Sequence, residues 1–136
     1  MPATFGVVDL FAGPGGLGEG FASLLDRDHL PFRIGISVEK EESAHRTLTL
    51  RAFLREYRAR RDTLPNEFIN FHAGLTPEPD WSAVDADAWR MANHEARSLE
   101  LGTTAAATAI DGAIKNLRKN FDDTILIGGP PCQAYS

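Results

Sequence analysis

The chain has 136 residues, a net charge of −5, 43% hydrophobic and 24% charged residues. This is the make-up of one ordinary soluble domain, and it excludes disordered and collagen-like chains. It also excludes a protein that grips nucleic acid through overall charge, because that affinity comes mainly from lysine and arginine meeting phosphates. The single cysteine, Cys132, rules out an internal disulfide and any multi-cysteine zinc site, and its free thiol suits a cytoplasmic protein. His29, His45, His72 and His94 are scattered without ligand spacing, so no metal site is expected. No basic run precedes the short apolar stretch near the N-terminus, and no segment approaches the roughly 18 apolar residues of a membrane span. No membrane partner is expected.

In chain order, Phe5 to Phe11 is a short apolar run that predicts a strand. A glycine cluster follows, and then Leu17, Phe21, Leu24 and Leu25 recur at helical spacing. Phe32, Ile34, Ile36 and Val38 alternate as a second strand, with Glu39 at its carboxyl end. From Glu41 the period changes. Leu50, Phe53, Leu54 and Tyr57 form an i, i+3, i+4, i+7 stripe, and Pro65 requires that helix to have ended. Arg51, Arg55 and Arg58 share a face of the same helix, which reads as solvated rather than as a DNA contact. Residues 68–71 predict a third strand, and the two prolines in 76–80 predict a loop. Ser82 with Asp85 is positioned to cap a helix running to about Leu101. A second apolar helical stripe runs from Ala106 to Phe121, so that 81–121 reads as an inserted helical pair before a fourth strand at 124–127. Strands separated by helices predict the α/β class: a doubly wound, Rossmann-like parallel sheet ordered about 3-2-1-4. The outer edge of 124–127 is then bare, which predicts self-association through that edge.

The glycine cluster contains Gly13-x-Gly15-x-x-Gly18 between a strand and a helix, the context that raises such a pattern above chance. Without Cβ atoms the backbone can turn sharply and approach a ligand. Glu39 follows Gly18 by 21 residues, at the strand end where a carboxylate can accept bonds from ribose hydroxyls. Together these predict a site for a nucleoside-bearing cofactor. In a sheet of this order the first and fourth strands are neighbours, so Gly13–Gly18 and the segment 129–132 should line one crevice. Gly128 and Gly129 free the strand exit, and Pro130 and Pro131 stiffen the arm that carries Cys132. A thiol so presented reads as a nucleophile rather than as core filler.

The stretch Asp9-Leu-Phe-Ala-Gly-Pro-Gly-Gly-Leu-Gly18 with Phe21 resembles the S-adenosylmethionine motif of the DNA cytosine-5 methyltransferases. Likewise, Gly129-Pro-Pro-Cys-Gln-Ala-Tyr-Ser136 resembles the nucleophile motif of that family. The resemblance covers the N-terminal portion of such an enzyme and implies a bacterial-type cytoplasmic protein using S-adenosylmethionine. It implies cofactor contacts from Asp9, Phe11, Ala12, Gly13, Pro14, Gly15, Gly16, Leu17, Glu39, Lys40, Leu75 and Pro130. Cys132 is implied as the catalytic residue, adding to carbon 6 of a cytosine flipped out of DNA. Where the family has Gly-Asp-Ile after its third strand, the nearest counterpart here is Ala73-Gly74-Leu75, without the acid. The family's Glu-Asn-Val segment and target-recognition domain have no counterpart in the 136 residues, so DNA binding and turnover are expected only with further segments. Two alternatives stay open: a transfer-RNA methyltransferase of the same family, and a dinucleotide-binding oxidoreductase, which the glycine pattern with Glu39 also suits.

Overall fold

The structure, a computed structural model, describes residues 2–131. Four parallel strands, β1 (Phe5–Leu10), β2 (Phe32–Val38), β3 (Ala96–Arg97) and β4 (Asp123–Gly128), lie in the order β3-β2-β1-β4. Six helices connect them: α1 (Gly16–Ala22), α2 (Glu42–Arg61), α3 (Asn66–His72), α4 (Trp81–Val84), α5 (Ala86–Glu95) and α6 (Thr104–Asn120). The expected class and strand order are those observed.

The sheet is covered on both faces. Val7 and Ile34 pack with Ala22 of α1 on one face, while Val8, Ile36 and Val38 pack with Leu117 of α6 on the other. A bulge makes this possible. Val7 pairs with Ile34 but Val8 with Ile36, so Gly35 is an extra residue in β2 and the side-chain alternation of β2 resets there. Leu117, 3% exposed, wedges against the two glycines of the inner strands. A Cβ built on Gly35 would lie 2.6 Å from Leu117 Cδ2, and one on Gly6 would lie 2.7 Å from the same atom.

The third strand is not at 68–71. That stretch lies within α3, where Phe68 and Phe71, three apart, both turn toward Trp81 at 6.4 and 6.0 Å between ring centroids. A four-residue apolar run cannot tell strand from helix by period, and the pull of an aromatic cluster decides it. That cluster is centred on the fully buried Phe53 of α2, with Trp81 at 5.4 Å and Trp89 at 5.8 Å. The strand position is taken by Ala96 and Arg97, which directly follow α5.

The expected helix from Ser82 to Leu101 is likewise two helices. The Asp80 carboxylate accepts from the Ser82 N–H to cap α4, and Asp85 accepts from the Ala88 N–H to cap α5, which stops at Glu95. Residues 81–121 are therefore not one inserted helical pair. They hold α4, α5, β3 and the crossover helix α6. The additional helices are α3, α4 and α5, before β3. At the opposite end of the sheet β4 has no neighbour on its outer side among the described residues, and Leu126 is exposed there.

Adding a methyl group at Gly35 forces Leu117 aside, so Gly35→Ala should lower stability by about 1–3 kcal/mol in urea unfolding. In a Leu117→Ala background, where the wedge is gone, the same substitution should cost little. An equal cost in both backgrounds would assign the effect to the bulge instead.

Candidate functional site

The site is built where β1 ends. Leu10 is the last residue of β1 and pairs with Gly128, the last of β4. The segments from Phe11 and from Gly129 therefore leave adjacent strand ends, which parallel pairing sets about 4.8 Å apart. Gly128 is required there, since a Cβ would lie 2.3 Å from the Leu10 carbonyl oxygen. Pro130 is exposed beyond it. Cys132, the expected nucleophile, lies outside the described residues.

The loop after β1 turns by repeated use of left-handed backbone. Phe11, Gly13 and Gly15 have φ of 52°, 57° and 95°. For a bulky residue such as Phe11 this is a strained conformation, of the kind that accumulates where a loop is shaped for a ligand. It leaves the Phe11 ring 43% exposed at the mouth of the loop. Ala12 donates its N–H to the Val38 carbonyl at 3.0 Å, and Gly15 donates to the Ala12 carbonyl at 3.1 Å.

Glu39 closes the arrangement. Its Oε2 accepts the Gly13 N–H at 2.8 Å and its Oε1 accepts the Glu41 N–H at 2.9 Å, while its own N–H donates to the Arg97 carbonyl at 3.1 Å. One residue thus ties the glycine loop to the ends of β2 and β3 and to the start of α2. Each carboxylate oxygen keeps a second lone pair for a ligand hydroxyl.

The glycines divide into two groups. At Gly13 and Gly16 an added Cβ would meet nothing within 4 Å, so these positions border open space. At Gly15 and Gly18 it would strike the protein itself, 2.9 Å from Leu48 Cδ1 and 2.9 Å from Asp9 Oδ2. The second pair serves helix packing. The open cradle over Gly13 and Gly16, the exposed Phe11 ring and the strand-end carboxylate fit a nucleoside-bearing cofactor.

Asp9 lies beneath the loop, 1% exposed, with both carboxylate oxygens unpartnered among the described residues. Burial, and secondarily the charge of Glu95, pushes its pKa up from 3.8 to about 6. Its cross-strand neighbour Ser37 is equally buried and its hydroxyl is also without a partner. Asp9 therefore faces α1 and the interior, not the open side of the loop.

A second polar group, which sequence reading missed, holds α1 in place. Arg55 of α2 donates from Nε and Nη2 to Glu19 Oε1 of α1 at 3.0 and 2.8 Å. It also forks onto Glu95 of α5, with Nη1 to Oε1 at 2.7 Å and Nη2 to Oε2 at 3.1 Å. Burial opposes the Arg55 charge, but the two carboxylates outweigh it and hold the guanidinium pKa above its usual value. Burial also pushes the Glu95 carboxyl up, against the pull of Arg55. The expectation of a solvated arginine face holds for Arg51 and Arg58, which are exposed, and fails for Arg55. An acid 36 residues away in sequence and another 40 away gave no local signal.

Two further expected contacts, Leu75 and Lys40, lie exposed at the surface. Leu75 follows α3 and is 75% exposed, because the strand that should have led to it is a helix. The segment that does leave β3 begins at Ser98, and there Lys40 pairs with Glu100 at 3.5 Å on the surface. Pro14 and Leu17 are exposed and Ala12 is buried.

Comparison with known proteins finds a methyltransferase among its relatives. The chain is 30% identical over 145 aligned positions to the Type II methyltransferase M.Bpa9945I of Bacillus paralicheniformis. The match covers 96% of this chain and 31% of that protein, so the chain spans about a third of its relative. The likeness supports a methyltransferase relationship. No family model matches, and no solved structure matches. No helix among the described residues is long and apolar enough to cross a membrane.

Because the folded state holds the Asp9 proton more tightly than the unfolded chain, stability falls as pH rises from 3.8 to about 6 and is level above that. The loss is on the order of 2–3 kcal/mol. Asp9→Asn should remove this dependence, gaining stability over the parent at pH 7 relative to pH 4. Parallel urea titrations at the two pH values check it, and an unchanged gap would mean that Asp9 has a partner when folded.

Proposed function

We propose that this chain is the cofactor-binding portion of an S-adenosylmethionine-dependent DNA cytosine-5 methyltransferase, with Cys132 as the nucleophile. The observation that carries the reading is the bond from the Gly13 N–H to Glu39 at 2.8 Å, which sets an open glycine cradle and a ribose-type carboxylate side by side. The relationship to a Type II methyltransferase and the parallel 3-2-1-4 sheet support it.

In this reading Glu39 receives the ribose hydroxyls, the Phe11 ring covers the adenine, and Gly13 and Gly16 admit the methionine end. When bound, the cofactor supplies a methyl group on a positively charged sulfur. The Cys132 thiolate adds to carbon 6 of the extruded cytosine, which makes carbon 5 electron-rich enough to take the methyl group. Loss of the carbon 5 proton and of the thiolate then restores the ring. The same reading gives Lys40, next to Glu39, and Pro130, just past the exit of β4, cofactor contacts. The adjacency of the β1 and β4 ends, fixed by the Leu10–Gly128 pair, supports bringing the arm that carries Cys132 beside the loop.

A nicotinamide dinucleotide is the second reading, favoured by the same Glu39 geometry. Thermal-shift titration separates the two. S-adenosylmethionine should raise the melting temperature while NAD leaves it unchanged, and Glu39→Ala should abolish the shift. A shift with NAD alone would assign the site to an oxidoreductase.

In the enzyme carried at its full length, Cys132→Ser should abolish methyl transfer to cytosine-containing DNA. The melting-temperature shift with S-adenosylmethionine should persist, because a hydroxyl cannot replace a thiolate at neutral pH whereas the cradle is untouched. Running the assay on transfer RNA in parallel identifies the substrate, and near-normal turnover of the serine variant would move the nucleophile elsewhere.

A further inference from the structure

A cavity of about 500 Å³ lies away from the glycine loop. It opens on the other side of the sheet, where β2 has seven residues and its outer neighbour β3 only two. β3 pairs only with Ser37 and Val38, so residues 32–36 of β2 have no strand partner on that side. The edge of residues 33–36 forms the floor of the cavity. Met91 and His94 of α5 stand on one wall, and Ala109, Gly112 and Ala113 of α6 on the other. Gly112 borders open space, since a Cβ there would meet nothing within 4 Å. This is the shape left by a strand cut short: a bare ladder edge between two helices, in line with β3.

The charge around it is specific. Arg33 stands at one end of the cleft, Arg97 at the other, and Arg90 on the α5 wall. From Arg33 to Val38, the partner of Arg97, is five residues, or about 16 Å of strand. Neither Arg33 nor Arg97 has a carboxylate partner among the described residues, and Arg90 has only a surface contact with Asp87 at 3.4 Å. Of the two acids lining the cleft, Glu95 is committed to Arg55. In a chain of net charge −5, an excess of free cations around a bare strand edge selects an acidic occupant.

We propose that the cleft is a docking site for an extended, acidic peptide segment of a partner protein. The segment adds as a strand to the open edge of β2 in line with β3, with its end carboxylates on Arg33 and Arg97. Backbone bonds to the edge give affinity, the small side chains of α6 admit small apolar residues in between, and the arginines fix sign and register. The inference does not rest on the methyltransferase reading.

The probe is a fluorescent, terminally blocked pentapeptide Glu-Val-Thr-Val-Glu titrated into the intact chain by anisotropy, beside Lys-Val-Thr-Val-Lys. Saturable binding of the acidic peptide at least tenfold tighter than the basic one is expected, together with slowed amide exchange confined to residues 33–36. Gly112→Leu fills the cleft from a position open enough to leave the fold intact, and it should weaken binding at least tenfold, as should the double variant Arg33→Glu with Arg97→Glu. Circular dichroism of each variant checks folding. Equal affinity for the two peptides, unchanged binding to Gly112→Leu, or protection elsewhere in the chain overturns the proposal. Displacement of the peptide by an equimolar single-stranded oligonucleotide also overturns it, since the arginines would then be a phosphate site.

Discussion

β1 is buried on both faces and paired on both edges, and the rest of the structure is arranged around that constraint. Val7, Val8 and Asp9 are each at most 1% exposed, and the strand pairs with β2 along one side and β4 along the other. A central strand so enclosed leaves no room for ordinary side chains wherever a helix or another backbone comes close. Glycine appears at those points. Gly6 and Gly35 receive Leu117 from one face, Gly18 brings α1 down onto Asp9 from the other, and Gly128 passes against the Leu10 carbonyl. The same close approach that makes the core dense sends the β1 and β4 exits out side by side, so the location of the candidate site follows from how β1 is packed.

Electrostatics under the loop run against that density. Two carboxylates, Glu19 and Glu95, converge on one guanidinium, Arg55, with a third, Asp9, near Glu95. The arginine satisfies two of them directly and fastens α1 to α2 and α5, which steadies the helix that follows the glycine loop. Asp9 is left without a hydrogen-bond partner among the described residues and feels the charge of Glu95. A buried pair of this kind is a weak source of net stability but a strong source of geometry, because removing one member strands the other in a low dielectric. Its contribution here is to fix the angle at which α1 leaves the loop.

Much of the fold was legible because it is encoded locally. β1 and β4 are short apolar runs, β2 alternates, α2 and α6 carry helical stripes, and Gly13-x-Gly15-x-x-Gly18 sits in its strand–loop–helix context. The third strand was not legible. Ala96 and Arg97 have no periodicity to read and are a strand only because Ser37 and Val38 offer an edge, whereas 68–71 looks extended and is helical because Trp81 lies beneath it. Arg55 shows the same limit, since a solvated arginine and a buried clamp are identical in sequence until two distant acids close on it.

By itself the sequence determined the class of the sheet, its strand order, the glycine loop and the carboxylate at the end of β2, since each rests on period, spacing or a residue without a Cβ. Only the tertiary structure decided which glycines face a ligand and which face a neighbour, where the short β3 forms, and that Glu39 grips the loop through the Gly13 N–H. Those outcomes depend on contacts between segments far apart in the chain. Such contacts are set by the shape of what packs against each segment, which local sequence does not carry.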